Sequence, residues 1–159
     1  MKSKRILAII PARSGSQGIP GKNVRPFCGR PLIYYTIAAA KKSNIFDRII
    51  VSTDSPAIKS ISYNFGAEVP FLRPKSMAGN NSNVVDAVLH LLDYLRQKEN
   101  YTPDYIFLLQ PTSPLRSAQD IINSWKFYRQ HKAKALVSVC PTHQQIFHLR
   151  AGKLELINK

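Results

Sequence analysis

The chain has 159 residues, 44% of them hydrophobic and seven each Phe and Tyr, which excludes a disordered chain and predicts one globular domain over residues 1–159 burying roughly 70% of its unfolded surface. The 23 Lys and Arg against nine Asp and Glu give a formal charge of +14, which attracts polyanions. The cations are scattered and no RNP, helix-turn-helix or basic-helix signature occurs, so nucleic acid is not expected as a partner and most of the excess is a solvated surface.

The first apolar run, Ile6–Ile10, is interrupted by Pro11 and Arg13 and is too short for a secretory signal, and nothing in the sequence is long enough to span a membrane. Cys28 and Cys140 lack metal-ligand spacing and read as reduced thiols in a cytoplasmic protein. Ile6–Ile10 itself predicts a strand buried on both faces, which Pro11 ends for want of an N–H. A polar loop follows with Gly15, Gly18 and Gly21 and two cations, Arg13 and Lys22, a composition suited to a polyphosphate. It is not a Walker A loop, because five residues separate Gly15 from Gly21 and Asn23 follows the lysine; nor is it a dinucleotide fingerprint, because Pro20 prevents a helix from starting inside it. A turn-rich strand-to-helix connection would contain as many glycines; the cations and the placement after a buried strand favour the anion site.

A helix is predicted from Pro31 to about Lys42, with Leu32, Ile33, Ile37 and Ala40 on its apolar stripe and Lys41 and Lys42 in its last turn. Ile49–Val51 reads as a second buried strand, and Ser55 caps a helix that begins at Pro56, buries Ile58, Ile61 and Phe65, and stops at Gly66. Residues 68–82 read as a loop. Asn83 with Asp86 resembles a capping box for a helix whose stripe is Val85, Val88, Leu89, Leu92 and Leu95, and His90 on it, lacking a partner at i±4, reads as a packed or surface histidine.

Tyr105–Leu109 reads as a third buried strand, Ser117 with Asp120 starts a helix carrying Ile121, Trp125 and Tyr128, and Leu136–Val139 reads as a fourth strand. Residues 145–149 and 154–157 form a weak hairpin pattern around Ala151-Gly152. This alternation predicts an α/β fold, a Rossmann-like, open, mainly parallel sheet with helices on both faces. Ligands bind such sheets beyond the carboxyl ends of the strands, where Pro11-Ala12-Arg13, Ser52-Thr53-Asp54 and Gln110-Pro111-Thr112-Ser113 would surround one crevice. A Ser-His-Asp hydrolase does not fit: no Gly-x-Ser-x-Gly elbow exists, and His90, His131, His143 and His148 lack suitable neighbours. Catalysis by positioning and charge, as in phosphoryl or nucleotidyl transfer, suits Arg13 and Lys22.

The loop Ala-Arg-Ser-Gly-Ser-Gln-Gly-Ile-Pro-Gly-Lys-Asn, residues 12–23, closely resembles the signature of the acylneuraminate cytidylyltransferases, the CMP-sialic acid and CMP-nonulosonic acid synthetases. Ile-Ile-Val-Ser-Thr-Asp-Ser at 49–55 and Leu-Leu-Gln-Pro-Thr-Ser-Pro-Leu-Arg at 108–116 agree with it in order, so the match runs from Met1 to about Cys140. The resemblance implies a fold of the nucleotide-diphospho-sugar transferase type and transfer of CMP from CTP to the anomeric hydroxyl of a nonulosonic acid, of the sialic, legionaminic or pseudaminic type, with release of pyrophosphate; a nucleotidyltransferase for another sugar acid or sugar phosphate, or a non-catalytic polyanion-binding module, is the alternative. It implies that Arg13, Lys22 and Asn23, with Ala12 and Ser16, contact the nucleotide's triphosphate and ribose, that Arg73 and Ser82 hold the cytidine, and that Gln110 reaches the acidic sugar. Arg13 and Lys22 would act catalytically by stabilising the charge that develops on phosphate. Asp54 stays open between capping the next helix and a role in the site, and Arg116 reads as a surface cation or structural ion pair.

Three positions depart from the family pattern. Gln17 stands where lysine is usual, Gly79-Asn80-Asn81 replaces a segment that usually holds an acidic residue, and Thr142-His143-Gln144-Gln145 lacks the usual His-Pro pair. Family members continue beyond the point matching Lys159. The resemblance implies that the fold of residues 1–159 is C-terminally incomplete and that the further part supplies the acidic ligands for Mg²⁺ and much of a homodimer interface.

Overall fold

The computed structural model describes residues 4–16, 18–79, 82–139, 147–150 and 153–156. In chain order its elements are strand β1 (Ile6–Pro11), the two-residue strands β2 (Pro26–Phe27) and β3 (Arg30–Pro31), helix α1 (Leu32–Ser43), β4 (Arg48–Ser52), α2 (Pro56–Asn64), α3 (Val84–Glu99), β5 (Tyr105–Leu108), α4 (Ala118–Gln130), and the strands β6 (Phe147–Arg150) and β7 (Lys153–Leu156).

The architecture is α/β, organised by a parallel three-stranded sheet in the order β4-β1-β5. Central β1 pairs Ile9 with Ile50 of β4 on one side and with Leu108 of β5 on the other. Its residues 7 to 10 are fully buried, and successive side chains go to opposite faces, as a strand's period of two requires. Ala8, Ile10 and Ala12 join a core with Ile33 and Ile37 of α1 and Ile121 of α4. Leu7 and Ile9 join a separate core with Ile50 and with Leu91 and Leu95 of α3. Helices therefore cover both faces, and a five-residue apolar run is what a strand between two such layers needs.

Local chemistry sets the helix ends. Ser55 accepts from the amide of Ile58 to cap α2, and Gly66 takes φ +82° just past its end. A side chain at Gly66 would also meet the Lys41 ammonium. Ser117 and Asp120 form a complete reciprocal capping box at α4. At α3, Asn83 accepts from the amide of Val85, but the expected return bond from Asp86 is not present among the described residues. Arg48 ties β4 to two other segments, donating to both carboxylate oxygens of Glu68 and to Glu99 at the end of α3.

Three expectations need correction. The buried face of α3 is built on Ala87, Leu91 and Leu95, with Val88 and Leu92 at its margin, while Val85 and Leu89 are exposed. Apolar residues occupy more than one face of this helix, so a stripe read at i, i+3 and i+4 can be drawn along the wrong side. The fourth strand, Leu136–Val139, does not form: these residues belong to no element, and Leu136, Val137 and Val139 are exposed. β-branched composition favours a strand only where a partner edge receives it, and here no described strand pairs with this segment. For the same reason β5 is not buried throughout, because Ile106 and Leu108 are exposed. The C-terminal hairpin does form, with β6 antiparallel to β7 and Leu149 opposite Leu154. Cys28 is an exposed free thiol; Cys140 lies outside the described residues, as do Gln17, Asn80, Asn81 and His143.

Candidate functional site

Strands β1, β4 and β5 are parallel, so their carboxyl ends open in one direction, and the segments that leave them are brought together there. The Ala12 amide donates to Ser52 O at 2.9 Å, and the Leu109 amide donates to Ile9 O at 2.9 Å, extending the ladder one step beyond the strands. Past these bonds a cavity of 390 Å³ is lined by Arg13, Ser16, Lys22, Asn23, Arg73, Ser82 and Gln110. Seven of the eight residues singled out from the sequence thus share one crevice, although they come from three separate loops. Ala12 does not line it; it is fully buried in the core behind. Pro11, Gly18, Met77, Val84, Pro111 and Thr112 complete the wall; Pro11, Pro111 and Thr112 stand where the strand ends predict them, whereas no sequence signal marks Met77 or Val84.

The loop after β1 owes its shape to a few polar bonds. Gly21 takes φ +63° and precedes a short 3-10 turn at Lys22–Val24, whereas Gly15 and Gly18 have open space where a side chain would stand. Asn23 is buried and donates from Nδ2 to the carbonyl of Arg13 at 3.0 Å, closing the loop across its neck. Arg13 donates from Nη1 to Gly79 O at 2.6 Å and so links this loop to residues 73–82. Lys22 has no side-chain hydrogen bond or ion pair among the described residues and keeps its charge available to the crevice.

Arg73 is only 6% exposed. Its amide donates to Thr53 O at 2.7 Å, Nη2 donates to Ser52 O at 2.9 Å, and Nη1 donates to Met77 O at 3.3 Å, while its buried Nε has no partner. Burial pushes the affinity of this guanidinium for its proton down, Asp54 partly restores it, and Arg13 lowers it further as a like charge. It stays a cation, since arginine does not deprotonate in proteins. Ser82 donates a long bond of 3.4 Å from Oγ to Ser76 O. Gln110, exposed beyond the end of β5, accepts at Oε1 from Thr112 Oγ1 at 3.4 Å.

Two residues left open or read as surface groups have definite places. Asp54 does not cap α2, which Ser55 does; it accepts from the Ser14 amide at 2.8 Å and from the Ser14 hydroxyl. Burial pushes the Asp54 carboxyl up, but the Ser14 hydroxyl and amide, its own amide and Arg73 outweigh that and hold it below the usual carboxylate range. Arg116 is neither a free surface cation nor ion-paired among the described residues: Nη2 makes a long 3.4 Å contact to Gln110 O, and buried Nη1 has no partner. A second cavity, of 800 Å³, runs between β5, α4 and residues 134–138, and Gln110 and Arg116 line its end, so Gln110 borders both cavities.

His90 packs edge-on against Phe71 at 5.1 Å, the packed reading. No helix among the described residues is long and apolar enough to cross a membrane.

A parallel α/β sheet with cations collected past its strand tips is the arrangement of a nucleotide-binding domain. The structure resembles CMP:2-keto-3-deoxy-manno-octonic acid synthetase solved with CTP, with a TM-score of 0.67 at 21% identity over 82% of this chain and 49% of that one. It also resembles a 4-diphosphocytidyl-2C-methyl-D-erythritol synthase, with a TM-score of 0.70 at 10% identity over 99% of this chain and 70% of that one. Residues 7–154 match the family described as cytidylyltransferase, and the chain belongs to that family.

Among its relatives, the CMP-N,N'-diacetyllegionaminic acid synthase of Legionella pneumophila is 43% identical over 86% of this chain and 58% of its own length. The N-acylneuraminate cytidylyltransferase of Escherichia coli O18:K1:H7 is 39% identical over 85% of this chain and 31% of its own length. A pseudaminic acid cytidylyltransferase of Campylobacter jejuni is 36% identical over 82% of this chain and 56% of its own length. The chain therefore spans less than two thirds of each of these relatives.

Proposed function

We propose that this chain is the single nucleotide-binding domain of a cytidylyltransferase that moves CMP from CTP to the anomeric hydroxyl of a nonulosonic acid, releasing pyrophosphate. The observation that carries this reading is the convergence of Arg13, Lys22 and Arg73 on one crevice with Gln110 across from them. Arg13 and Lys22, two cations on one loop of the cavity, suit a triphosphate, and family membership names the nucleotide as CTP. The relatives' names support an acceptor of the legionaminic, sialic or pseudaminic class.

In this reading the triphosphate lies against the loop of residues 13–23, Arg73 and Ser82 hold the cytidine, and the sugar meets Gln110 at the border of the two cavities. The anomeric oxygen attacks the α-phosphorus as the bond to pyrophosphate breaks. Negative charge grows on the departing phosphates, and fixed cations at Arg13 and Lys22 stabilise it more in the transition state than in the bound substrate. Neither residue moves a proton, and the hydroxyl's proton leaves to solvent.

Mg²⁺, a homodimer and a cytoplasmic setting belong to the same proposal. Among the described residues no group of three or more His, Cys, Asp or Glu side chains comes together to cage an ion, and each oxygen of Asp54 accepts a hydrogen bond from Ser14.

The test has two parts. Titration with CTP, UTP and GTP should show binding selective for CTP; preference for another nucleotide overturns the cytidylyl reading. The protein, offered CTP with sialic, legionaminic, pseudaminic and eight-carbon sugar acids, should release pyrophosphate with a nine-carbon acid, and turnover of the eight-carbon acid alone would reassign the acceptor.

A further inference from the structure

The peptide group joining Arg13 to Ser14 is held at both poles. Its carbonyl, the Arg13 oxygen, accepts from Asn23 Nδ2 at 3.0 Å, and its N–H, on Ser14, donates to Asp54 Oδ1 at 2.8 Å. A peptide is planar, so fixing both ends of its dipole fixes the rotation of the plane and, with it, the direction in which the Arg13 side chain leaves the backbone. The second Asp54 oxygen accepts from Ser14 Oγ, so the carboxylate grips Ser14 through two bonds. Asp54 is not required elsewhere: Ser55 caps α2, and the Ser55 amide donates to Thr53 Oγ1.

The same end of β4 holds the facing loop. Ser52 O receives both the Ala12 amide and Arg73 Nη2, and Thr53 O receives the Arg73 amide. Three consecutive residues, 52 to 54, therefore set the positions of Arg13 and Arg73 relative to each other. We propose that Asp54 is the positioning residue of this crevice, clamping the Arg13–Ser14 peptide against Asn23 so that the Arg13 guanidinium is aimed at the phosphates before they bind. The inference rests on the reading of the crevice as a triphosphate site. It also accounts for a negative charge close to an anion site, beside Arg73, where electrostatics alone would disfavour one: Asp54 does not line the crevice, and both its oxygens accept from Ser14.

That opposition of effects gives a decisive test on the whole chain. If Asp54 acted on the ligand only through its charge, removing it would strengthen CTP binding. If it acts as a clamp, Asp54→Ala should weaken CTP binding about tenfold, as loss of charge-assisted hydrogen bonds does. Asp54→Asn, which keeps an acceptor for the Ser14 amide, should recover most of that loss. A second measurement needs no nucleotide. Hydrogen exchange of the Ser14 amide in the free protein should quicken in Asp54→Ala and stay near wild type in Asp54→Asn. CTP binding that is unchanged or tighter in Asp54→Ala, or a Ser14 amide protected equally in all three proteins, overturns the inference. A wild-type protein that fails to bind CTP, yet whose Ser14 exchange depends on Asp54, overturns the proposed function and leaves the clamp standing.

Discussion

Arg73 donates from Nη2 to the carbonyl of Ser52 at 2.9 Å, so a residue only 6% exposed is anchored to the end of the strand beside the loop of residues 13–23. A lysine cannot reproduce this, having one nitrogen where the guanidinium engages Ser52 and Met77 with two. Arg73→Lys should destabilise the fold by about 1–3 kcal/mol, the cost of leaving buried groups unsatisfied, and should weaken CTP binding as well. Urea midpoints with a CTP titration check both; a stable variant with wild-type affinity would show that the anchor is idle.

Arg13 and Gln110 line the same crevice from opposite loops and are assigned to different ligands. Arg13→Ala should raise the dissociation constant for CTP by tenfold or more, about 1.4 kcal/mol. Gln110→Ala should leave CTP affinity unchanged and raise KM for the sugar. Equal losses for both ligands in both variants would end the division of labour.

The Asp54 carboxyl gives a pH signature. Its proton affinity is lower in the folded chain than its ordinary value of 3.8, so between those two values the unfolded state binds more protons and stability rises with pH. The contribution is complete above 3.8 and is lost as pH falls through the folded value. Asp120, held down by the amide and hydroxyl of Ser117, acts in the same direction. Asp54→Asn should therefore flatten the acid limb of the stability curve without removing it, as denaturant midpoints from about pH 2 to pH 6 would reveal. An unchanged acid limb would mean that Asp54 titrates alike in both states.

The reciprocal bonds of Ser117 and Asp120 fix the start of α4, directly after the segment that carries Gln110. Ser117→Ala should cost about 1 kcal/mol, or about 2–4 °C in melting temperature, and spare CTP affinity. A larger loss, with weaker nucleotide binding, would indicate that the cap also shapes the crevice.

Most of the crevice was legible in the sequence because it follows from topology: parallel strands deliver their exit loops to one end, so Arg13, Lys22 and Gln110 could be placed together before any coordinates. The place of Asp54 is not legible because its partner, Ser14, lies 40 residues away, and no local pattern encodes such a pairing. On α3 the stripe holds for Val88, Leu92 and Leu95 and fails for Val85 and Leu89, which are as apolar as the residues that pack. Leu136–Val139 reads as a strand because its residues prefer an extended pairing, which nothing described provides. Local preference reports what a segment would accept, and packing decides what it receives.

Among the described residues β5 pairs only with β1, and it carries Ile106 and Leu108 outward without a charge. A strand edge left unpaired among the described residues is a template on which another extended chain can add by intermolecular hydrogen bonding. The protein should therefore self-associate as it is concentrated, and Ile106→Lys should lower the light scattering.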